Sequence, residues 1–186
     1  MNRRIPRLAV KPTLAYRLFY PQVPVILSAK YRSLVAAMPA NSCMSVSDEP
    51  AMIGVSVRRE SKTNAVLKKA KNFSINWLNL SDKKIVSQLS STNKSQNKLK
   101  ALNIPYSLVF AAPVLKVSAA YIICQKESVF EVGDHDLFVG RLLGAMASLD
   151  FDESWKFEDY KPVLYLGSNF RNPFSTLDRS QPAREK

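Results

Sequence analysis

The chain has 186 residues, of which 46% are hydrophobic and 23% are charged, a mixture that suits one compact domain and excludes a disordered or fibrous protein. Its formal net charge of +12 favours a negatively charged partner, such as a phosphorylated ligand, nucleic acid or anionic lipid. Two distant cysteines and one histidine exclude a structural zinc site and argue against a disulfide framework, and no apolar run approaches the roughly 20 residues of a membrane helix.

Three parts are predicted along the chain. Residues 1–20 are a basic arm that has aromatic side chains to pack on the domain or on a partner chain, residues 21–172 form one domain, and residues 173–186 form a tail. The first 47 residues contain no Asp or Glu, as in an organellar transit peptide, but an apolar strand pattern begins at Val23 inside this stretch. We therefore expect a folded cytoplasmic protein that has no membrane partner.

The first half of the domain alternates strands with one clear helix. Strands are predicted over residues 23–29, 33–38, 51–57 and 73–78. Residues 41–50, rich in Ser, Asn, Asp and Pro, are predicted to be a loop. A helix is predicted over residues 61–71, because Ser61 is a capping residue and lysines crowd the last turn, where the helix dipole favours cations.

The second half of the domain is predicted to be mostly strands. A short helix over residues 81–89 is followed by an exposed, low-complexity stretch over residues 90–97. The later strands are predicted over residues 115–125, 128–132, 137–147 and 163–167, with turns at residues 126–127 and 133–134. Many short strands with few helices indicate a mainly β fold, a closed or nearly closed antiparallel barrel.

The junction between the strand ending at Val57 and the following helix is the first candidate site. A helix N-terminus offers N–H groups and a partial positive charge, and here it is accompanied by hydroxyls and cations. The candidate phosphate ligands are Ser56, Arg58, Ser61, Lys62 and Thr63. The spacing alone favours an ordinary capped helix with solvated charges.

Two further segments could carry chemistry. The small and polar residues around residues 40–44 would bring backbone groups close to a planar polar ligand, although alone they are only a loop. Residues 133–136 contain His135, the one histidine, between Asp134 and Asp136. From the sequence, His135 is either an exposed turn residue or a functional one.

Together these segments resemble the flavin reductase-like, FMN-binding split-barrel family over roughly residues 20–170. The resemblance is carried, in the family's order and approximate spacing, by residues 39–50, Ser61-Lys62-Thr63, residues 73–76, Cys124, and Gly133-Asp134-His135 ahead of residues 137–140. It implies a six-stranded antiparallel Greek-key split barrel that forms a homodimer with FMN near the subunit interface.

The resemblance also assigns roles to residues. The flavin ring would be lined by Ala40, Asn41, Ser42, Cys43 and Met44. The FMN phosphate would be received by Ser56, Arg58, Ser61, Lys62 and Thr63. The turn at residues 133–135 would lie where NADH or NADPH approaches, with His135 as the catalytic residue that orients the nicotinamide.

The implied function is an NAD(P)H-dependent flavin reductase that transfers hydride from nicotinamide to flavin and serves an oxygenase or another electron acceptor. Two alternatives stay within the flavin class: a flavoredoxin-like electron carrier that holds FMN permanently, and a ferric reductase. A remote alternative is a basic nucleic-acid-binding barrel. The dispersed lysines argue against it, because they form no single basic stripe interleaved with aromatic residues.

Overall fold

The structure is a computed structural model that describes residues 9–91, 95–167 and 173–176. The strands are Val25–Tyr31 (β1), Leu34–Ala40 (β2), Cys43–Asp48 (β3), Ala51–Arg58 (β4), Asn72–Trp77 (β5), Tyr106–Val109 (β6), Ala112–Leu115 (β7), Ala120–Val132 (β8), His135–Ala147 (β9), Leu164–Tyr165 (β10) and Phe174–Ser175 (β11). The α-helices are Lys62–Lys69 (α1), Lys83–Ser90 (α2) and Lys98–Ala101 (α3). Short 3-10 helices span Pro12–Phe19 and Leu80–Asp82.

A seven-stranded antiparallel sheet is the framework of the molecule, with the strand order β2-β1-β5-β8-β9-β4-β3. The predicted mainly β fold with a few helices is confirmed. The sheet has one strand more than the predicted six, and its edge strands β2 and β3 are not hydrogen-bonded to each other in the part of the chain that the structure describes. Closure into a barrel therefore remains a prediction.

The extra strand is β3, which lies within the predicted loop over residues 41–50. It pairs with β4 from Cys43, opposite Val55, to Asp48, opposite Ala51. Because β3 is an edge strand and most of its side chains are exposed, its Ser and Asp residues are tolerated there. A polar composition that is typical of a loop is equally compatible with a solvated sheet edge.

Parts of two predicted strands and the turn between them form one long strand. This strand, β8, begins at Ala120 and not at residue 115, since Leu115 is the last residue of β7 and residues 116–119 are not in a strand. Residues 115–125 and 128–132 were separated by a turn predicted at residues 126–127, but β8 continues through this region. Its register against β9 shifts twice, between Ile123 and Cys124 and between Lys126 and Ser128. These are β-bulges, which bend a strand without ending it, and the polar residues that suggested a turn mark the second bulge.

The core has three apolar clusters, and the two larger ones lie on opposite sides of β1. Leu27 packs with Phe73 and Phe138 in one cluster, whereas Ile26 packs with Leu99 in the other. Successive residues of a strand point to opposite faces, so a strand covered on both faces is apolar at every position, as the start of β1 is. Each fully buried side chain of this size contributes about 1.5–3 kcal/mol.

The structure describes part of the predicted N-terminal arm and part of the predicted C-terminal tail. Within the arm, the 3-10 helix Pro12–Phe19 buries none of its residues. Part of the tail forms β11, which pairs with β10. Residues 1–8 of the arm, 92–94 of the low-complexity stretch and 177–186 of the tail lie outside the described residues. None of the helices in the described ranges is long and apolar enough to cross a membrane.

Candidate functional site

The junction between β4 and α1 is built as a capped helix start. Ser61 is the N-cap residue, in extended conformation, and its Oγ accepts a hydrogen bond from the Asn64 backbone N–H over 3.1 Å. The next residues, Lys62 and Thr63, begin the helix, and Thr63 is buried. The first turn of α1 therefore presents the positive end of the helix dipole, as predicted for a site that binds an anion.

This helix start opens into a cavity of about 470 Å³. The cavity is lined by β2, by the residues that begin α1, and by the end of α2 together with α3. Its lining residues are Val35, Ala36, Met38, Pro39, Glu60, Ser61, Lys62, Thr63, Leu89, Ser90, Ser91 and Lys98. Three predicted phosphate ligands, Ser61, Lys62 and Thr63, are thus brought together with one carboxylate and a lysine from a distant part of the chain.

Lys98 is the cation of the cavity that sequence reasoning missed. Its ammonium group donates hydrogen bonds to the backbone carbonyls of Leu89 (2.6 Å) and Ser91 (3.0 Å) at the end of α2. Burial lowers the pKa of Lys98, and the charge of Lys62 lowers it further. Lys62 itself donates to the Ser95 carbonyl. The two positively charged ammonium groups repel each other, and an anion bound between them would offset this repulsion.

Asp136 of β9 holds α1 against the sheet. Its side chain is fully buried, and its Oδ2 accepts hydrogen bonds from Asn64 Nδ2 and from Lys68 Nζ, both over 2.8 Å. Asn64 Nδ2 also donates to the Val57 carbonyl over 3.1 Å. The hydrogen bond from Lys68 is the largest cause that lowers the pKa of the Asp136 carboxyl. The only sequence signal was an acidic residue next to the apolar run of β9.

The turn that contains His135 lies against the end of β4. Gly133 has a φ of +56°, in the left-handed region that favours glycine at a tight hairpin turn. The Arg58 guanidinium and the Asp134 carboxylate are 3.4 Å apart, and the Arg59 backbone N–H donates to the Asp134 carbonyl over 3.0 Å. His135 Nδ1 and Asp134 Oδ1 are 2.6 Å apart, and this contact is the main cause that lowers the pKa of Asp134.

The sheet also places Arg58 beside His135, because the two residues are opposite each other in the β4–β9 register. Neither residue is among those that line the cavity at α1, and the same is true of Ser56. Ser56 instead donates its backbone N–H to the Ser42 carbonyl over 2.9 Å. The predicted phosphate ligands therefore divide into a group within the cavity and a group beside it.

The predicted flavin-ring segment follows the cavity along the chain. Met38 and Pro39 line the cavity, whereas residues 40–44 lie just beyond it, across the connection from β2 to β3. Burial raises the pKa of the Cys43 thiol to about 12, so Cys43 is protonated at neutral pH and is not a nucleophile. Its thiol is a neutral, apolar neighbour for any ligand at this end of the sheet.

Comparison with known proteins identifies the family. A profile described as "Flavin reductase like domain" matches residues 16–173. The chain belongs to the flavin reductase-like family. An uncharacterized protein from Aeropyrum pernix is 30% identical to this flavin reductase-like chain over 163 residues, which are 83% of the chain and 61% of the relative. The chain thus spans about three fifths of the length of that relative.

Solved structures have the same fold as this flavin reductase-like chain. An FMN-binding protein from Thermus thermophilus with bound 1-cyclohex-2-enone is 25% identical with a TM-score of 0.79, and the match covers 97% of this chain and 99% of that one. A flavoredoxin from Methanosarcina acetivorans is 17% identical with a TM-score of 0.83, covering 98% and 97%. A flavin reductase complexed with NADP+ is 19% identical with a TM-score of 0.73, covering 89% and 96%.

Proposed function

We propose that this protein binds FMN and acts as an NAD(P)H-dependent flavin reductase. The observation that carries the proposal is the convergence of the α1 N-terminus, Lys62 and Lys98 on one cavity. A helix N-terminus flanked by two cations suits a phosphate dianion, and about 470 Å³ is the size of an ordinary cofactor or ligand pocket. Membership of the flavin reductase-like family supports the same ligand.

The residues of the cavity fit the phosphate end of FMN. The Ser61 oxygen already accepts the Asn64 N–H, so its own O–H remains able to donate to a phosphate oxygen. Thr63 would donate a second hydroxyl, and Lys62 and Lys98 would balance the charge. In this proposal Ser56 and Arg58 act as further ligands, with Arg58 sharing its charge between the phosphate and Asp134.

The ring of FMN is proposed to lie against Ala40, Asn41, Ser42, Cys43 and Met44. These residues continue the chain directly from Pro39 at the wall of the cavity. Their backbone N–H and C=O groups would meet the polar edge of the ring, while the protonated Cys43 thiol adds no charge. A ligand with its phosphate at α1 would extend past Pro39 to bring its ring to this segment.

When bound, FMN supplies a two-electron redox centre that takes hydride from a nicotinamide, so the protein needs no acid–base triad of its own. His135 is proposed to contact and orient NADH or NADPH. The Asp134 carboxylate, 2.6 Å from His135 Nδ1, holds the imidazole in one orientation. Because Arg58 pairs with the same carboxylate, the nicotinamide contact and the end of β4 are linked through Asp134.

We also propose a cytoplasmic homodimer that passes electrons to an oxygenase or another acceptor. The two cysteines are free thiols, which agrees with a reducing compartment. Apolar side chains on β3 and β8 are exposed in the single chain: 59% of Met44, 43% of Val46, 54% of Phe130 and 56% of Val132. Such exposed apolar side chains suit burial against a second copy of the chain. The molar mass measured by light scattering at increasing protein concentration tests for the dimer.

The decisive experiment is an anaerobic titration of the FMN-loaded protein with NADH and, separately, with NADPH. The expected result is loss of the visible flavin absorbance with at least one nucleotide, and FMN binding at least about tenfold tighter than riboflavin because the phosphate is held. Absence of flavin affinity refutes the whole proposal. Flavin that binds but is bleached only by a reduced protein partner refutes the reductase and identifies an electron carrier.

A further inference from the structure

A second cavity, of about 500 Å³, lies where β5 ends and β8 begins. It shares no lining residue with the cavity at α1. Three of its lining residues, Trp77, Phe151 and Trp155, are aromatic residues that share this side of the sheet, and the two tryptophans are the only ones in the chain. No proposed step of flavin reduction uses these residues.

The aromatic walls of this cavity are held in place by the segment that follows β9. The Trp155 ring stacks on the buried Tyr160 ring, with centroids 3.8 Å apart and planes inclined by 23°. Phe151 meets Trp155 edge-on at 5.2 Å, and the two residues form an antiparallel β-bridge. The Lys156 backbone N–H closes the loop by donating to the Asp150 carbonyl over 2.6 Å. A ligand would therefore meet walls that are already ordered, which lowers the entropic cost of binding.

The lining of the cavity defines the chemistry of its ligand. None of its lining residues, all of them described, carries a charge, so an ion bound there would lose its hydration without gaining a partner. Alanines from β8 and β9, among them Ala145, leave space between the rings. The indole N–H groups of Trp77 and Trp155 are the polar side-chain groups available to a ligand. The Tyr121 side chain points to the other face of β8, where its hydroxyl contacts Met146 Sδ over 3.0 Å.

We propose that this cavity binds a neutral planar aromatic molecule. Aromatic side chains prefer a flat partner in offset-stacked or edge-to-face contact, and small residues between them admit a ring but not a bulky side chain. The proposal is independent of FMN binding, because the residues involved are different.

Isothermal titration calorimetry tests this proposal, with 2-naphthol added to the FMN-loaded 186-residue chain. We expect saturable binding accompanied by a change in tryptophan emission, and roughly tenfold weaker binding of decahydro-2-naphthol, which has the same skeleton but cannot stack. Ala145→Leu fills the space between the rings and should weaken 2-naphthol binding at least tenfold. Ala101→Leu, at an exposed position on α3 outside the cavity, should leave it unchanged.

Trp155→Ala removes one wall and should weaken binding to a similar degree, which provides a second test if Ala145→Leu fails to fold. The proposal is wrong if 2-naphthol does not bind, as would happen if a second copy of the chain covered the cavity. It is also wrong if the saturated analogue binds equally well, or if neither variant changes the affinity for 2-naphthol. Competition between 2-naphthol and FMN also overturns it, since the cavity would then belong to the flavin site. FMN affinity measured on the same samples tests the proposed function separately.

Discussion

Replacing Lys98 by methionine tests whether the two-lysine cavity holds a phosphate. Methionine keeps most of the aliphatic stem and removes the ammonium group, which lies in the same cavity as Lys62 and the start of α1. A hydrogen bond to a charged group is worth about 1.5–3 kcal/mol, which corresponds to a Kd for FMN roughly 10- to 150-fold higher. Riboflavin has no phosphate, so its affinity should be unchanged.

The assay is quenching of flavin fluorescence on binding, with FMN and riboflavin titrated into wild type and variant. Lys100→Met is the matched control, since Lys100 is an exposed lysine of the same short helix that lies outside the cavity. Lys98 also donates two hydrogen bonds to carbonyls at the end of α2, so the variant should also be less stable, by about 1.5–3 kcal/mol, which is followed by its lower Tm. Equal losses for FMN and riboflavin, or none for either, would refute phosphate binding by Lys98.

Three further substitutions test the site and the core. Asp136→Asn should lower Tm by several degrees at neutral pH and weaken FMN binding, because α1 loses its charged anchor, whereas Asp134→Asn should leave Tm nearly unchanged. The difference in Tm between Asp136→Asn and wild type should become smaller as the pH falls below about 4, because a carboxyl with a lowered pKa stabilises the fold only while it is ionised. A difference in Tm that persists in acid would contradict this explanation. His135→Ala should reduce kcat/KM for NADH or NADPH about tenfold with an unchanged Kd for FMN, and unaltered nucleotide kinetics would rule out its proposed role. Gly140→Ala should lower the free energy of unfolding in denaturant by about 1–3 kcal/mol, because the added Cβ would lie 2.7 Å from the Phe73 ring in the core. Gly144→Ala is the control, since its added Cβ would lie 3.8 Å from the nearest side chain and should be tolerated. Equal stabilities of the two variants would show that the core adjusts to the added methyl group.

The predictions that succeeded rest on short-range signals. The helix predicted from residue 61 forms as Lys62–Lys69 with Ser61 as its N-cap, because a cap and its N–H partner lie three residues apart. The strand predicted over residues 51–57 is β4, which ends one residue later at Arg58. Strand β3 was missed because edge pairing depends on the neighbouring strand and tolerates a polar composition.

The mainly β class, the capped helix start and the family resemblance could be predicted from the amino-acid sequence, since each depends on residue types at fixed, short spacings. The folded chain was needed to find that Lys98 and Lys62 line one cavity and that Asp136 anchors α1 through Asn64. These partners are far apart in the chain, and no local sequence pattern predicts that they come together. Pairing at long range is set by sheet order and helix packing, which bring together charges that no local spacing connects.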